Sequence, residues 1–269
     1  MSGGAGSYGG PASGAVAAEA ERLRQQAAAV WGRERSALSE AGLAAGQRLL
    51  EVGCGPGGVL ERLRGDLGGA PFGVDIDQAL LRRAASGTVV RADGAALPFS
   101  DGVFDFVLFR LVLRHAPART DLLREAARVA RTGGVVCAID VDEAATAFDP
   151  EPDTWPALKQ ALAASAARHG GDPFVGRRLR RLLGEAGLSD VVTRALPVTT
   201  DDVAPRAFVE TLLAPAARIV DSDLLDPSAV RRGWDQLREW ASREVGFGYA
   251  LGWMAAARKP DGWGQRARP

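Results

Sequence analysis

A short apolar run followed by closely spaced glycines is the most chemically suggestive stretch of the sequence. It reads Leu-Leu-Glu-Val-Gly-Cys-Gly-Pro-Gly-Gly over residues 49–58. The apolar run is typical of a buried strand, and the glycines predict a tight turn into a helix. Glycine lets the backbone approach a ligand closely, and the positive end of the following helix favours a polar group. The stretch therefore predicts a binding turn for a small polar cofactor.

The glycine spacing by itself leaves two kinds of cofactor open. Gly53, Gly55 and Gly58 also satisfy the dinucleotide fingerprint G-x-G-x-x-G, which is a weak signal when it stands alone. Glu51 lies inside the end of the strand, two residues before the first glycine. A carboxylate at that place suits a cationic amino acid head better than a pyrophosphate. The acid therefore favours a cofactor other than a nicotinamide nucleotide.

Acidic residues also follow the next two predicted strands. Asp75 ends the second strand, 24 residues after Glu51, where a carboxylate can accept hydrogen bonds from both hydroxyls of a ribose. Asp77 is better explained as the N-cap of the following helix. Asp93 and Gly94 follow the third strand, and an Asp-Gly pair there is most often a plain turn.

The fourth predicted strand, 104–110, brings an arginine and a histidine toward the same region. The guanidinium of Arg110 could pair with a carboxylate of the cofactor or substrate, although its backbone is the better contact. His115 is the candidate general base, because it lies five residues past Arg110 near the carboxyl edge of that strand. A histidine at this place can equally cap a helix or pack on Pro117.

Strands alternate with helices over residues 48–142, which predicts an α/β fold with a doubly wound parallel sheet. In such sheets ligands lie outside the carboxyl ends of the strands. The glycine turn with Glu51, and then Asp75, Asp93 and Arg110, all fall at the carboxyl ends of successive strands. Their convergence on one crevice is the strongest indication of a site in the sequence.

The segment Glu-Val-Gly-Cys-Gly-Pro-Gly at 51–57 resembles motif I of the class I methyltransferases that use S-adenosylmethionine. The resemblance is specific from about residue 48 to 142 and topological elsewhere. It implies a mostly parallel seven-stranded sheet with helical cap insertions, S-adenosylmethionine as the cofactor, and no metal. The cofactor-binding residues that it implies are Glu51, Gly53, Cys54, Gly55, Gly57, Asp75, Ile76, Asp93, Gly94 and Arg110.

Two of these residues would bind the adenine. In the family, the acid at the place of Asp93 accepts a hydrogen bond from the adenine amino group, and Ile76 would supply an apolar contact to one adenine face. Phe-Asp-Phe-Val at 104–107 matches a further family pattern, in which the acid looks structural.

Composition and pattern divide the chain into five segments. We expect a disordered tail at 1–14, an N-terminal helical lid at 15–47, and the cofactor-binding core at 48–142. Completion of the sheet with helical substrate-cap insertions is expected at 143–259, and a loose tail at 260–269.

The N-terminal residues Tyr8, Trp31 and Arg35 are candidates to touch a ligand. Tryptophans 155, 234 and 240 either line an apolar acceptor pocket or form the core of the cap.

The overall composition narrows the class of partner. Lys+Arg and Asp+Glu are both 33, so no basic field favours nucleic acid and no polybasic run favours a membrane surface. Cys54 and Cys137 lack the spacing of a metal site or a disulfide framework. No apolar run reaches transmembrane length and the N-terminus lacks a signal-peptide layout, so we expect a cytoplasmic protein.

The resulting prediction is S-adenosylmethionine-dependent methyl transfer to an oxygen or nitrogen of a small, partly apolar specialised metabolite. One alternative is a methyltransferase-like protein that binds the cofactor without methyl transfer, as a regulator or a cyclase-type catalyst. The other is an NAD(P)-dependent oxidoreductase, whose terminal strand should run parallel with the rest. The sequence leaves the oligomeric state open.

Overall fold

The computed structural model describes residues 13–85, 88–213 and 223–264 of the 269-residue chain. The strands are β1 (Leu49–Val52), β2 (Phe72–Asp75), β3 (Thr88–Arg91), β4 (Phe104–Arg110), β5 (Ala130–Asp149), β6 (Ser189–Thr199) and β7 (Phe247–Arg258). The helices are α1 (Ser13–Glu40), α2 (Gly58–Leu67), α3 (Gln78–Leu81), α4 (Arg119–Val129), α5 (Trp155–Arg168), α6 (Leu179–Glu185), α7 (Pro205–Leu213) and α8 (Pro227–Trp240).

The seven strands form one sheet in the order β3-β2-β1-β4-β5-β7-β6. The first five are parallel, and β7 lies antiparallel between β5 and β6. The predicted α/β class and mostly parallel doubly wound sheet are confirmed. The antiparallel β7 is the opposite of what the oxidoreductase alternative requires. The strand order reverses between β1 and β4, which is where such sheets bind ligands.

Alternating side chains of the central strands supply two separate cores, one on each face of the sheet. Leu50 of β1 and Val107 of β4 pack toward α4 and α6. Leu49 and Phe106 pack toward α1 and α2 on the opposite face. Because successive residues of a strand point to opposite faces, an apolar strand covered on both sides needs no polar positions.

β5 is longer than the sequence indicates. The apolar pattern predicts a strand over 135–141, whereas β5 continues to Asp149, and its register with β7 shifts between Asp142 and Ala147. The additional residues pair with β7, which lies about a hundred residues further along the chain. Local pattern carries no signal for a partner that is so distant in sequence.

The cap is built around an aromatic cluster. Phe148 packs edge-on against Trp155 of α5, Phe208 of α7 and Trp240 of α8, with ring centroids 4.7–5.9 Å apart. Trp234 belongs to the same buried cluster. Trp234 and Trp240 are therefore cap core, as one of the two interpretations held, and Trp155 lies where the cluster meets the interior cavity described below.

The C-terminal segment packs against the domain. The indole N–H of Trp263 donates to Ala186 O at 3.0 Å, and Lys259 Nζ donates to Ala130 O at 2.8 Å. Residues 260–264 are thus held against the domain, in contrast to the loose tail expected there, and 265–269 lie outside the described residues. Of the predicted N-terminal tail, residues 1–12 also lie outside them, including Tyr8.

A buried ion pair joins α1 to the sheet. Glu34 Oε2 lies 2.7 Å from Nε of Arg110 at the end of β4, and the two side chains are only 7% and 8% exposed. Glu34 shares the buried stripe of α1 with Ala27, Trp31 and Leu38, which recur at helical spacing. The pair therefore fixes how α1 lies across the sheet edge.

We predict that Glu34→Ala lowers the free energy of unfolding by about 3–5 kcal/mol, because it leaves the Arg110 guanidinium buried without its partner. Urea unfolding measures the loss. Glu19→Ala is the matched control on the same helix, since Glu19 pairs with Arg22 at 2.7 Å but both side chains are about one third exposed. The control should cost less than about 1 kcal/mol. Equal small losses in both variants would contradict a structural role for the buried pair.

Candidate functional site

The glycine turn has the backbone that the sequence predicts. Gly53, Gly55 and Gly57 have φ angles of 77°, 52° and 79°, a region that side chains disfavour. A Cβ at Gly53 would also overlap Cγ2 of Val112. No side chain caps the start of α2, so its first N–H groups are left for a ligand. The turn is therefore a backbone cradle at the carboxyl end of β1.

Cys54 takes part in the turn through its backbone. Its N–H donates to Val74 O at 3.0 Å, which ties the turn to β2. The thiol is buried, and burial raises its pKa well above the usual range. Cys54 therefore stays a neutral thiol, and its side chain is suited to packing rather than to nucleophilic chemistry.

Asp75 holds the turn in place from the end of β2. One carboxylate oxygen accepts from Gly55 N at 2.7 Å and the other from Asp77 N at 2.8 Å. Burial raises the pKa of Asp75, opposed by these backbone hydrogen bonds. Asp77 accepts from the N–H groups of Ala79 and Leu80, so its interpretation as a helix N-cap is confirmed.

Asp93, Gly94 and Ile76 lie at the same edge of the sheet. Asp93 is exposed and accepts from Ala95 N at 2.9 Å, which is the plain turn that the Asp-Gly pair allows. A Cβ at Gly94 would lie 3.0 Å from Val52 of β1, so this loop packs closely on the cradle. Ile76 is 55% exposed beside Asp75. Ile76, between Asp75 and Asp77, thus offers an exposed apolar surface that a flat apolar group of a ligand could contact.

Glu51 is the most perturbed acid of the crevice. It is 2% exposed, and its Oε2 atom has no hydrogen-bond partner among the residues described. Burial raises its pKa to about 8, while the nearby Arg110 guanidinium lowers it and Asp75 raises it. A buried carboxyl with an open acceptor atom is suited to receive a cationic group.

Arg110 is committed to Glu34 by the ion pair described above, a partner that the sequence analysis missed. The one available signal was an acid on the otherwise apolar stripe of α1.

Trp31 and Arg35, which were candidates to touch a ligand, contact another helix instead. The Trp31 indole donates to Asp66 of α2 at 2.8 Å, and Arg35 Nε lies 3.6 Å from the same carboxylate. Tyr8 lies outside the described residues.

α1 also covers the glycine turn. A Cβ at Gly55 would lie 3.8 Å from Leu23, and one at Gly58 would lie 3.2 Å from Arg24. The Arg24 guanidinium donates to Arg83 O beyond α3. Leu23 and Arg24 of α1 therefore lie against the glycine turn.

A mostly apolar cavity of about 190 Å³ lies beside the cradle. It extends from α1 over the carboxyl end of β4 and the middle of β5 to α5, α7 and the paired strands β6 and β7. Val30, Leu162, Leu196 and Phe208 contribute apolar surface. Arg110 lines the cavity and also acts on the charge of Glu51, so cradle and cavity adjoin.

The polar lining along the middle of β5 is held by hydrogen bonds and an ion pair within the protein. Asp140 accepts from the backbone N–H groups of Arg114 and Val141 at 3.0 and 2.9 Å, and burial raises its pKa to about 6. The Arg114 guanidinium pairs with Glu143. These groups fix the loop after β4 against β5, which the sequence analysis did not foresee because Asp140 and Glu143 fall in or after an apolar run.

His115 lies directly after Arg114, but its own side chain is exposed and is not among the residues that line the cavity. Its backbone N–H donates to Val112 O at 3.0 Å.

Within the described ranges no group of three or more metal-ligating side chains occurs, and no helix is long and apolar enough to cross a membrane.

Comparison with known proteins shows similarity to methyltransferases over the core of the chain. Residues 50–138 match a family model described as a methyltransferase domain. An uncharacterized methyltransferase of Mycobacterium avium is 40% identical over 98 residues, covering 34% of this chain and 38% of that protein. The malonyl-[acyl-carrier protein] O-methyltransferase of Enterobacter lignolyticus is 29% identical over 134 residues, covering 48% and 49%. The chain thus spans less than half the length of these relatives.

Solved structures agree at the level of the fold. Phosphoethanolamine N-methyltransferase 2 of Haemonchus contortus, in complex with S-adenosyl-L-methionine, has a TM-score of 0.53 at 19% identity, covering 86% of this chain and 53% of that one. The [4+2]-cyclase SpnF has a TM-score of 0.55 at 24% identity, covering 88% and 83%. At such identities the likeness shows the fold alone.

The burial of Glu51 generates a pH-dependent prediction. Above its ordinary pKa of 4.5 the unfolded chain releases the Glu51 proton, whereas the folded protein keeps it up to about pH 8. Glu51 therefore makes wild-type stability fall as pH rises through this window, by at most about 1.4 kcal/mol per pH unit. Glu51→Gln removes this loss. We expect the variant to gain stability relative to wild type between pH 5 and pH 8 in urea unfolding, and a constant difference would contradict the raised pKa.

Proposed function

We propose that this chain, whose residues 50–138 match a methyltransferase domain, is a class I S-adenosylmethionine-dependent methyltransferase that transfers the methyl group to a small, partly apolar acceptor. S-adenosylmethionine is the cofactor of the domain. The observation that carries the proposal is the shared position of Arg110, which lies within electrostatic reach of Glu51 in the cradle and lines the adjoining apolar cavity. We propose that the cradle binds the cofactor, that the cavity binds the acceptor, and that the two meet where the strand order reverses between β1 and β4.

The residues of the cradle fit this cofactor. Its amino acid head carries an ammonium group, and the open acceptor atom of buried Glu51 is suited to it. The backbone of Gly53, Gly55 and Gly57 leaves room that side chains would fill. Asp75 would bind the ribose hydroxyls, and Asp93 with Ile76 would bind the adenine. We also propose that Cys54, Gly94 and Arg110 contribute backbone contacts.

When bound, S-adenosylmethionine supplies an electrophilic methyl carbon on a sulfonium. The protein's part is to align the acceptor with that carbon and to exclude water, so that positioning supplies much of the rate. α1 covers the cradle through Leu23 and Arg24, and the aromatic cap closes the cavity. The mostly apolar lining supports a partly apolar acceptor, whose nucleophile we propose to be oxygen or nitrogen.

We place this activity in specialised metabolism and in the cytoplasm as part of the same proposal. The two cysteines are buried and free, which suits a reducing compartment. Equal numbers of acidic and basic residues support a small-molecule acceptor over a nucleic acid.

A second candidate function is cofactor binding without methyl transfer. The likeness to the [4+2]-cyclase SpnF, a protein of this fold named for another reaction, is the reason to keep it. The two functions separate on one measurement. Methyl transfer forms S-adenosylhomocysteine in step with a methylated acceptor, whereas a cyclase-type catalyst leaves the cofactor intact.

We predict that S-adenosylhomocysteine raises the melting temperature by about 5–10 °C, whereas NAD and NADP do not. A ligand at about 100 times its Kd stabilises by about 2.7 kcal/mol, and a chain of this size shifts by about 2–4 °C per kcal/mol. Thermal unfolding with each ligand measures the shift. A rise with a nicotinamide nucleotide alone would overturn the assigned cofactor.

Two neighbouring aspartates give the matched variants for this measurement. Asp75→Ala should weaken cofactor binding by about 1.5–3 kcal/mol, because a charged hydrogen bond is lost and Gly55 N loses its acceptor. Asp77→Ala should only weaken the cap of α3 and leave cofactor affinity close to wild type. Equal effects of the two variants would remove Asp75 from the binding site.

His115 remains the proposed general base. Because its side chain is exposed beside Arg114, the role requires the ring to turn toward the cavity when the acceptor binds. We predict that His115→Ala lowers kcat about 10²-fold with saturating acceptor, while S-adenosylhomocysteine binding is retained. Glu143→Gln, which alters an acid of the lining that pairs with Arg114, the residue before His115, is the comparison. Near-normal turnover of His115→Ala together with a slow Glu143→Gln variant would assign proton removal to Glu143.

A further inference from the structure

The basic residues that line the cavity differ in whether they form an ion pair. Each of its three arginines has an acidic partner: Arg33 pairs with Asp202 at 2.5 Å, Arg110 with Glu34, and Arg114 with Glu143. Lys159 lines the same cavity, and no acid lies within ion-pair distance of it in the part of the chain that the structure describes. Its Nζ donates only a long hydrogen bond, 3.4 Å, to the backbone oxygen of Thr146.

A second polar group lies one helical turn before Lys159. Trp155 is 2% exposed and lines the cavity, and its indole N–H has no hydrogen-bond partner within the described ranges. Lys159 Nζ lies 5.9 Å from the centroid of the Trp155 ring. Leu162 follows at the next turn of α5 and also lines the cavity. α5 therefore presents a cation, an unsatisfied donor and an apolar side chain along one face.

An ammonium group beside an apolar cavity and a buried indole N–H without a partner are both costly unless an acceptor reaches them. A partly buried cation gains from an anion that enters the same low-dielectric space, and a buried donor without a partner costs about 1–3 kcal/mol. The arginines cannot serve in the same way, because their own acids already neutralise them. A ligand group that carries one negative charge and accepts a hydrogen bond would therefore stabilise both Lys159 and Trp155.

We propose that Lys159 and Trp155 form a carboxylate subsite, and that the methyl acceptor is a small monocarboxylate with an apolar body. The inference rests on the proposed function for the identity of the cavity as the acceptor compartment. One cation and one neutral donor match the single charge and two oxygens of a carboxylate. Glu34, Asp140 and Glu143 in the same lining would disfavour a group that carries two negative charges. Val30, Leu196 and Phe208 would contact the apolar body.

The test compares two probes that differ only in charge, 3-phenylpropanoate and 3-phenylpropanamide, by titration calorimetry with and without S-adenosylhomocysteine. Wild type should bind the carboxylate at least about 10-fold more tightly than the amide. Lys159→Met should remove this preference and leave amide binding unchanged, whereas Lys159→Arg should retain most of it. Trp155→Phe keeps the ring without the N–H and should weaken the carboxylate about 5-fold.

Gln160→Met is the matched control, since Gln160 is the exposed neighbour of Lys159 on α5 and does not line the cavity. This variant should keep the full preference for the carboxylate. The subsite is overturned if wild type binds the two probes equally, if it binds no carboxylate at millimolar concentration, or if Lys159→Met keeps the preference. The melting-temperature shift with S-adenosylhomocysteine, measured on the same proteins, reports separately on the proposed function, so the two failures are distinguishable.

Discussion

The buried ion pair between Glu34 and Arg110 is the contact on which the rest of the site depends. It joins α1 to the carboxyl end of β4, 76 residues further along the chain. Because both side chains are buried, loss of either one leaves a charge in a low-dielectric environment. With α1 held in this way, Leu23 and Arg24 lie against the glycine turn, and Val30 forms part of the cavity wall. The pair therefore helps to hold α1 over both the cradle and the cavity, together with the ion pair of Arg33 with Asp202 and the hydrogen bond of Trp31 to Asp66.

The same pair sets the electrostatics of the cradle. Burial holds Glu51 in its protonated form near neutral pH, Arg110 opposes this, and Glu34 reinforces it. Since Arg110 is shared between two acids, its positive charge is insufficient to ionise Glu51. A cationic head that enters the cradle would supply the missing charge and release the Glu51 proton. Ligand binding, the protonation of Glu51 and the placement of α1 are thus coupled through one guanidinium.

The arginines and the lysine that line the cavity have different roles. The arginines fasten elements to one another: Arg33 holds α1 to the loop after β6, and Arg114 holds the loop after β4 to β5. Lys159 forms no ion pair within the described residues and makes only a long hydrogen bond to Thr146 O. It lies on a helix that the aromatic cluster around Phe148 keeps in place. In the proposed subsite, packing of α5 places the charge of Lys159 before the ligand arrives, which lowers the entropic cost of binding.

The sequence by itself determined the parts of this protein that depend on neighbouring residues. The apolar strand, the glycine turn and the helix after it are local, as are the acids that end β2 and follow β3, because strand burial and left-handed glycines impose residue types at short spacing. Only the tertiary structure decided that Glu34 meets Arg110, that β5 extends along β7 and that Trp263 anchors the C-terminal segment. It also decided that Lys159 lines a cavity with no acid within ion-pair distance of it among the described residues. Each of these depends on residues that are far apart in the chain, and a pairing between distant residues leaves no periodic signal in either segment. The acid on the buried stripe of α1 was visible in the sequence as an anomaly, but its partner could be identified only when the sheet had brought the end of β4 beneath the helix.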